Sequence, residues 1–185
     1  EVSIEMPVPS LPGNYQLVVA VDPDRNIPDL DELNNEVRSD EVSVMPSFTA
    51  MVDVNQRVYH VGDSIAISGH AVNADGETSA ANQKVEIYVI VDGARRSFEA
   101  TTDAAGDFSL VFKPQTGEMG HYSAGACYPG QNAIVPQVEF DIIGFWRNPN
   151  NYVVSDLVVG EHKEHQVAVR NKSSVPLTGV TASVV

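Results

Sequence analysis

The strongest constraint on the fold of this chain is a two-residue alternation of apolar and polar side chains that returns along most of its length. Leu17, Val19 and Val21 alternate with Gln16 and Ala20, and Phe108, Leu110 and Phe112 with Ser109. Val85, Ile87, Val89 and Val91 alternate with Glu86 and Asp92, with Ile90 on the outer face, and Val138, Phe140 and Ile142 alternate with Glu139 and Asp141. A period of two sends one set of side chains to a covered face and the other to water, which is the pattern of a sheet with one buried side. Helical periodicity is almost absent. Turn signals separate the runs: Ala74-Asp75-Gly76, Asp92-Gly93, Ala105-Gly106-Asp107 and Pro129-Gly130. The fold class implied is all-β, built as a sandwich or barrel of short strands.

Counting strands divides the chain. Residues 46–144 hold seven expected strands, near 49–55, 64–72, 84–92, 95–102, 107–113, 121–128 and 135–142. That number in just under a hundred residues matches an immunoglobulin-type sandwich. Residues 145–151, Phe-Trp-Arg-Asn-Pro-Asn-Asn, read as a linker. The flanks are shorter. Residues 1–45 hold about three strands, near 2–5, 15–22 and 41–45, and residues 152–185 about three more, near 153–159, 164–170 and 178–185. Neither flank buries a core alone. The first looks like the end of a module and the last like the start of one. Each is expected to be completed by residues outside this chain; the alternative is that head and tail meet across a chain boundary in a repeat array.

Charge narrows the partners. The chain has 11 Lys and Arg against 25 Asp and Glu, for a net charge of -14. Such a field repels phosphate backbones and anionic membrane surfaces, so nucleic acid is not an expected partner. Hydrophobic residues make up 43%, enough for a packed core. The one cysteine, Cys127, forms no intrachain disulfide and is expected to be a buried thiol without a positive neighbour to activate it. No apolar run reaches the ~20 residues of a membrane helix, and no leader opens the chain, whose first residues read like the middle of a longer polypeptide.

Several segments resemble known families. Gly13-Asn14-Tyr15-Gln16-Leu17, Val21-Asp22-Pro23-Asp24, Ile27, Asp31-Glu32 and Asn34-Asn35 resemble the C-terminal half of a CARDB-type domain, an adhesion-associated immunoglobulin-like module of bacterial and archaeal surface proteins. Pro28-Asp29 stands where that family usually has Glu. The central segment resembles bacterial Ig-like domains in Tyr59-His60-Val61-Gly62-Asp63-Ser64-Ile65-Ala66-Ile67-Ser68-Gly69 and Thr101-Thr102-Asp103-Ala104-Ala105-Gly106-Asp107-Phe108. Gly62-Asp63 suits a turn before a strand, and Gly106 a hairpin turn with positive φ. Val167-Ala168-Val169-Arg170-Asn171 and Pro176-Leu177-Thr178-Gly179-Val180 resemble the front of a further Ig-like or CARDB-like module. These resemblances imply tandem immunoglobulin-like sandwiches with spacing, adhesion or accessory roles at the cell surface or outside the cell, and no catalytic centre.

Candidate sites are few. In the loop from Asp22 to Glu32, Asp22, Asp24, Asp29 or Asp31 would supply oxygen ligands to a surface calcium ion, the one cofactor in view. Ile27 and Leu33 stand where an EF-hand needs Gly and Glu, so that motif is excluded, and the reading set against calcium is a solvated acidic loop whose Asn and Asp side chains cap backbone groups. His162 and His165 are three apart, which on a strand puts them on opposite faces and off the zinc-protease spacing. Asn171-Lys172-Ser173 fits a glycosylation sequon. Tyr15 and Tyr122, each after Gly-Asn or Gly-His, are placed to act as tyrosine corners, with the hydroxyl bonded to upstream backbone. Trp146 reads as a wedge between modules or a sugar-stacking platform. No nucleophile elbow, P-loop or dinucleotide motif occurs. The expected function is a non-catalytic structural or adhesive segment whose partners are neighbouring modules or like chains, with assembly by strand pairing and a glycan or surface ligand in view. The alternative is a glycan-binding accessory module, which needs a row of aromatics drawn from Tyr88, Tyr128, Trp146 and Tyr152.

Overall fold

The computed structural model describes residues 5–21, 23–24, 26, 28, 35–132, 135–148, 158–162, 164 and 168–181. Regular structure among them is entirely β-strand. In chain order the strands are β1 (Gly13–Ala20), β2 (Glu36–Val44), β3 (Phe48–Val54), β4 (Val58–His60), β5 (Ile65–Asn73) and β6 (Lys84–Val91). They continue with β7 (Ala94–Thr101), β8 (Asp107–Phe112), β9 (Gly120–Cys127), β10 (Val138–Ile143), β11 (Phe145–Asn148) and β12 (Ala168–Asn171).

Strands β3 to β10 form a β-sandwich. One sheet has the order β3-β5-β8 and the other β4-β10-β9-β6-β7. The chain changes sheet between β3 and β4, β4 and β5, β5 and β6, β7 and β8, and β8 and β9, so the alternating faces of both sheets point at one core. Val85, Ile87, Val89, Phe108, Phe112, Val138, Phe140 and Ile142 are all buried, as their period requires. Tyr122 stacks on Phe140 at 5.3 Å with the rings 10° apart, and Tyr59 meets Phe140 edge-on at 5.7 Å. The seven expected central strands all form. The eighth, β4, falls between two expected strands where none is expected, and pairs in parallel with β10, Val58 opposite Asp141 and His60 opposite Ile143.

Two glycines make room for rings. Gly69 faces Phe108 across β5 and β8, where a Cβ would strike the Phe108 ring and the Met51 carbonyl. Gly125 faces Tyr88 across β9 and β6, and a Cβ there would meet the Tyr88 phenol. Tyr88 thus lies flat on the outer face, fully buried beneath the Arg95 guanidinium, 4.5 Å from the ring centre. Its hydroxyl donates to the Val135 carbonyl at 2.6 Å.

Turn chemistry follows the sequence with one difference. Asp92 and Gly93 have φ of 49° and 78° between the paired residues Val91 and Ala94, the two-residue turn that matches strand twist. Gly106 has the positive φ expected of it, 86°, but its turn joins β7 to β8 in opposite sheets and is not a hairpin. Asp103 holds that crossover by accepting the Ala105 and Asp107 amides at 2.8 and 3.0 Å.

One side chain stitches the sheets together at their edge. Gln137, just before β10, accepts the amides of Val52 and Ala126 on Oε1, each at 3.0 Å. Its Nε2 donates to the carbonyls of Ala50 at 3.0 Å and Ala126 at 2.9 Å. The amide therefore replaces a backbone ladder rung between β3 and β9, with its hydrogen-bonding capacity filled.

The flanks form two-stranded ribbons. β1 pairs with β2, and the register slips by one residue between Gln16 and Val18, where Ser39 takes the Leu17 amide on its hydroxyl at 3.0 Å. Leu17, Val18 and Val19 are 40%, 46% and 45% exposed, so among the described residues neither face of the ribbon is covered. β11 pairs with β12, from Phe145 opposite Asn171 to Asn148 opposite Ala168. Residues 145–148, expected in the linker, are therefore strand: aromatic side chains suit strands, and 168–171 supplies the partner. Residues 178–181 are not strand, contrary to expectation, and 158–160 form a turn; the expected strands at 2–5 and 153–159 fall mostly outside the described residues.

Candidate functional site

A candidate site lies where the end of the sandwich meets the tail. Its wall is built from the β6–β7 turn, the approach to β9 and residues beside β11 and β12. Val91, Asp92, Gly117, Glu118, Met119, Tyr122, Trp146 and Lys172 enclose a pocket of about 270 Å³. The ionic groups around it are paired. Arg96 grips Glu118 with both guanidinium nitrogens, one of them at 2.9 Å, and the Gln115 amide adds a hydrogen bond at 2.6 Å. The Arg96 contact holds the Glu118 carboxyl below its ordinary range, against the opposing effect of burial. Lys172 reaches Asp92 at 3.3 Å across the mouth.

The exception is the floor. Tyr122 is fully buried, and its hydroxyl has no hydrogen-bond partner among the described residues. Burial, then the negative charge of Glu118, pushes this phenol up to about 12, with Arg96 opposing and Asp92 adding to the rise. The group is a protonated donor facing charged neighbours without an acceptor of its own. As a corner Tyr122 fails, because at this position in β9 its ring points into the core and stacks on Phe140. Tyr15 does act as a corner: its hydroxyl donates to the Leu11 carbonyl at 2.7 Å.

A second contact ties the tail to the sandwich. Asp141 was assigned to solvent by the alternation, yet it is buried. Its two oxygens accept the Ser174 amide at 2.7 Å and the Ser174 hydroxyl at 2.6 Å, and His121 Nδ1 lies 3.4 Å away. Burial alone would raise this carboxyl; the Ser174 hydrogen bonds and His121 outweigh it and hold it below the ordinary range. Asn171 closes the same loop by accepting the Ser173 amide at 3.0 Å and hydroxyl at 2.7 Å, and by donating to the Val175 carbonyl at 2.7 Å. The side-chain amide of the sequon is thus engaged in a turn.

Of the calcium candidates, Asp24 lies exposed in a turn, while Asp22, Asp29 and Asp31 lie outside the described residues. Among the described residues no three acidic, His or Cys side chains converge as metal ligands. His162 is exposed and His165 is outside the described residues. Cys127 is buried. The aromatic row does not form among the described residues: Tyr88 is buried, Tyr128 packs on Phe48 at 5.0 Å, and only Trp146, 38% exposed, offers a ring to solvent. Sequence patterning singles out Trp146, reads Tyr122 as a corner and Asp92 as part of a turn, and passes over Glu118; that these meet is missed because they come together only through turns. Among the described residues no helix is long and apolar enough to cross a membrane. Neither a protein-family model nor a curated protein matches the chain.

Proposed function

We propose that this chain is a non-catalytic spacer segment of a large extracellular or cell-surface protein, in which immunoglobulin-like sandwiches are joined in series by strand-rich junctions. One observation carries the reading. The chain enters the sandwich at one end and leaves at the other, and the strands nearest the two ends lie side by side. Gln137, at the start of β10, bonds to Ala50 and Val52 in β3, while the end of β10 pairs with β4. The chain from Phe48 to His60 therefore runs along β10 in the same direction, over about 20 Å, the length of the six-residue β10. Tension applied through the two ends loads the parallel β4–β10 bonds together in shear instead of opening them one by one. That arrangement suits an element that sets distance and bears load.

The ribbons support the same reading. A two-stranded ribbon is marginal alone, and β1–β2 leaves Leu17, Val18, Val19, Val37 and Val42 uncovered. Further strands, from neighbouring modules or like chains, would cover these faces and pair the open edges. The sandwich order, three strands against five, is compatible with the immunoglobulin-like type, and the CARDB-like and bacterial Ig-like resemblances point the same way. An adhesive role follows from the resemblances alone.

Pulling tandem copies by their ends tests the proposal. One cooperative rupture per copy is expected, releasing about 300 Å as residues 48–143 extend. Gradual low-force unravelling of the sandwich would sink the load-bearing reading.

A further inference from the structure

We propose that the pocket between the sandwich and the tail binds a single neutral sugar ring, with Trp146 as its stacking wall and Tyr122 as its buried donor. The chemistry of the lining selects this ligand class. Trp146 is partly exposed and presents a flat π-face, which attracts the C–H face of a ring through its quadrupole. Met119 and Val91 add apolar surface beside it. The Asp92 and Glu118 carboxylates accept hydrogen bonds, and the buried hydroxyl of the lining residue Tyr122 is a donor that meets no acceptor among the described residues. A ligand that satisfies all of these must carry both donors and acceptors on one edge and C–H surface on another. A pyranose does so.

Charge excludes the main competitors. Arg96 already neutralises Glu118, and Lys172 already neutralises Asp92, so the lining has no net charge left for an ammonium or an anion. Size sets the number of rings. The pocket holds about 270 Å³, room for about nine waters at ~30 Å³ each, which matches one ring and not an oligosaccharide buried end to end. A longer glycan would project past the Asp92–Lys172 contact, which is long and exposed and therefore easily opened. Trp146 and Lys172 come from the tail and the remaining lining from the sandwich, so a bound ring bridges the joint. This inference does not depend on the spacer reading.

Trp146 is the only tryptophan in the chain, so tryptophan emission, excited selectively over the six tyrosines, reports this pocket alone. The protein is titrated with methyl glucoside, methyl galactoside and N-acetylglucosamine in the millimolar range, with sorbitol and tetramethylammonium chloride as comparison probes. The expected result is a saturable emission change with at least one ring sugar and none with sorbitol or the ammonium. Tyr122→Phe is expected to weaken that binding about three- to tenfold, the loss of one neutral hydrogen bond. Saturation-transfer NMR on Trp146→Ala, which needs no fluorophore, should show loss of sugar contact. No saturable change with any ring sugar overturns the proposal, as does an equal response to sorbitol, a response to the ammonium alone, or unchanged affinity in Tyr122→Phe.

Discussion

Tyr122 and Gln137 are opposite cases of a polar group placed inside a sheet sandwich. Tyr122 carries a hydroxyl with no partner among the described residues, and an unpaired buried hydroxyl costs about 1–3 kcal/mol. Tyr122→Phe keeps the stack on Phe140 and should stabilise the unliganded protein by about 1 kcal/mol in urea unfolding; a loss of stability would mean the hydroxyl is satisfied. The raised phenol also fixes a pH dependence. The folded state holds its proton more tightly than the unfolded chain does, so stability should fall as pH climbs from 10 to about 12. Gln137 is fully bonded, and Gln137→Leu leaves four backbone groups of Ala50, Val52 and Ala126 without it. The expected loss is about 2 kcal/mol, moderated because water reaches part of this edge. Neither role was legible in the sequence: Gln137 is one polar residue after Pro136, and nothing local shows that β3 and β9 would leave a gap of its size.

At the level of elements, the clearest dependence is that of the tail on β10. Asp141 holds Ser174 as a carboxylate, and its proton affinity is lowered by folding. Its contribution is therefore complete above the ordinary carboxylate value of 3.8 and disappears as pH falls through that value and below it. Amide exchange in residues 171–175 should quicken over that acid range while the sandwich core stays protected, and Asp141→Asn should quicken it at neutral pH. Unchanged protection in the variant would mean the tail is held by other contacts. The glycine-for-ring exchanges belong at this level too. Gly125→Ala puts a methyl into the Tyr88 phenol and should cost about 1–3 kcal/mol by thermal or urea unfolding. Alternation read β6 well but put its outer face in water; Tyr88 is buried because β9 offers a glycine opposite it and Arg95 covers it, a pairing visible only after the strands are ordered.

For the whole molecule, the division into a closed centre and open flanks is the central claim. The seven central strands were readable because each alternates and each boundary carries Gly, Asp or Pro. β4 was missed because three residues are too few to show a period, and β11 because its aromatic pair sits beside linker-like Asn and Pro. The flanks differ in charge: residues 1–45 carry ten acidic and two basic side chains, and residues 145–185 three acidic and four basic. If like chains associate, head-to-tail pairing is therefore favoured over head-to-head, and sedimentation should show association that weakens with salt. The most direct measurement is residue-resolved hydrogen exchange on the intact chain at micromolar concentration. Amides of β5, β6, β9 and β10 are predicted to exchange together, only through global unfolding, while those of β1 and β2 exchange orders of magnitude faster. Protection of β1 and β2 equal to that of the sandwich would contradict the account, because it would mean the ribbon already has the cover that the open-flank reading denies it.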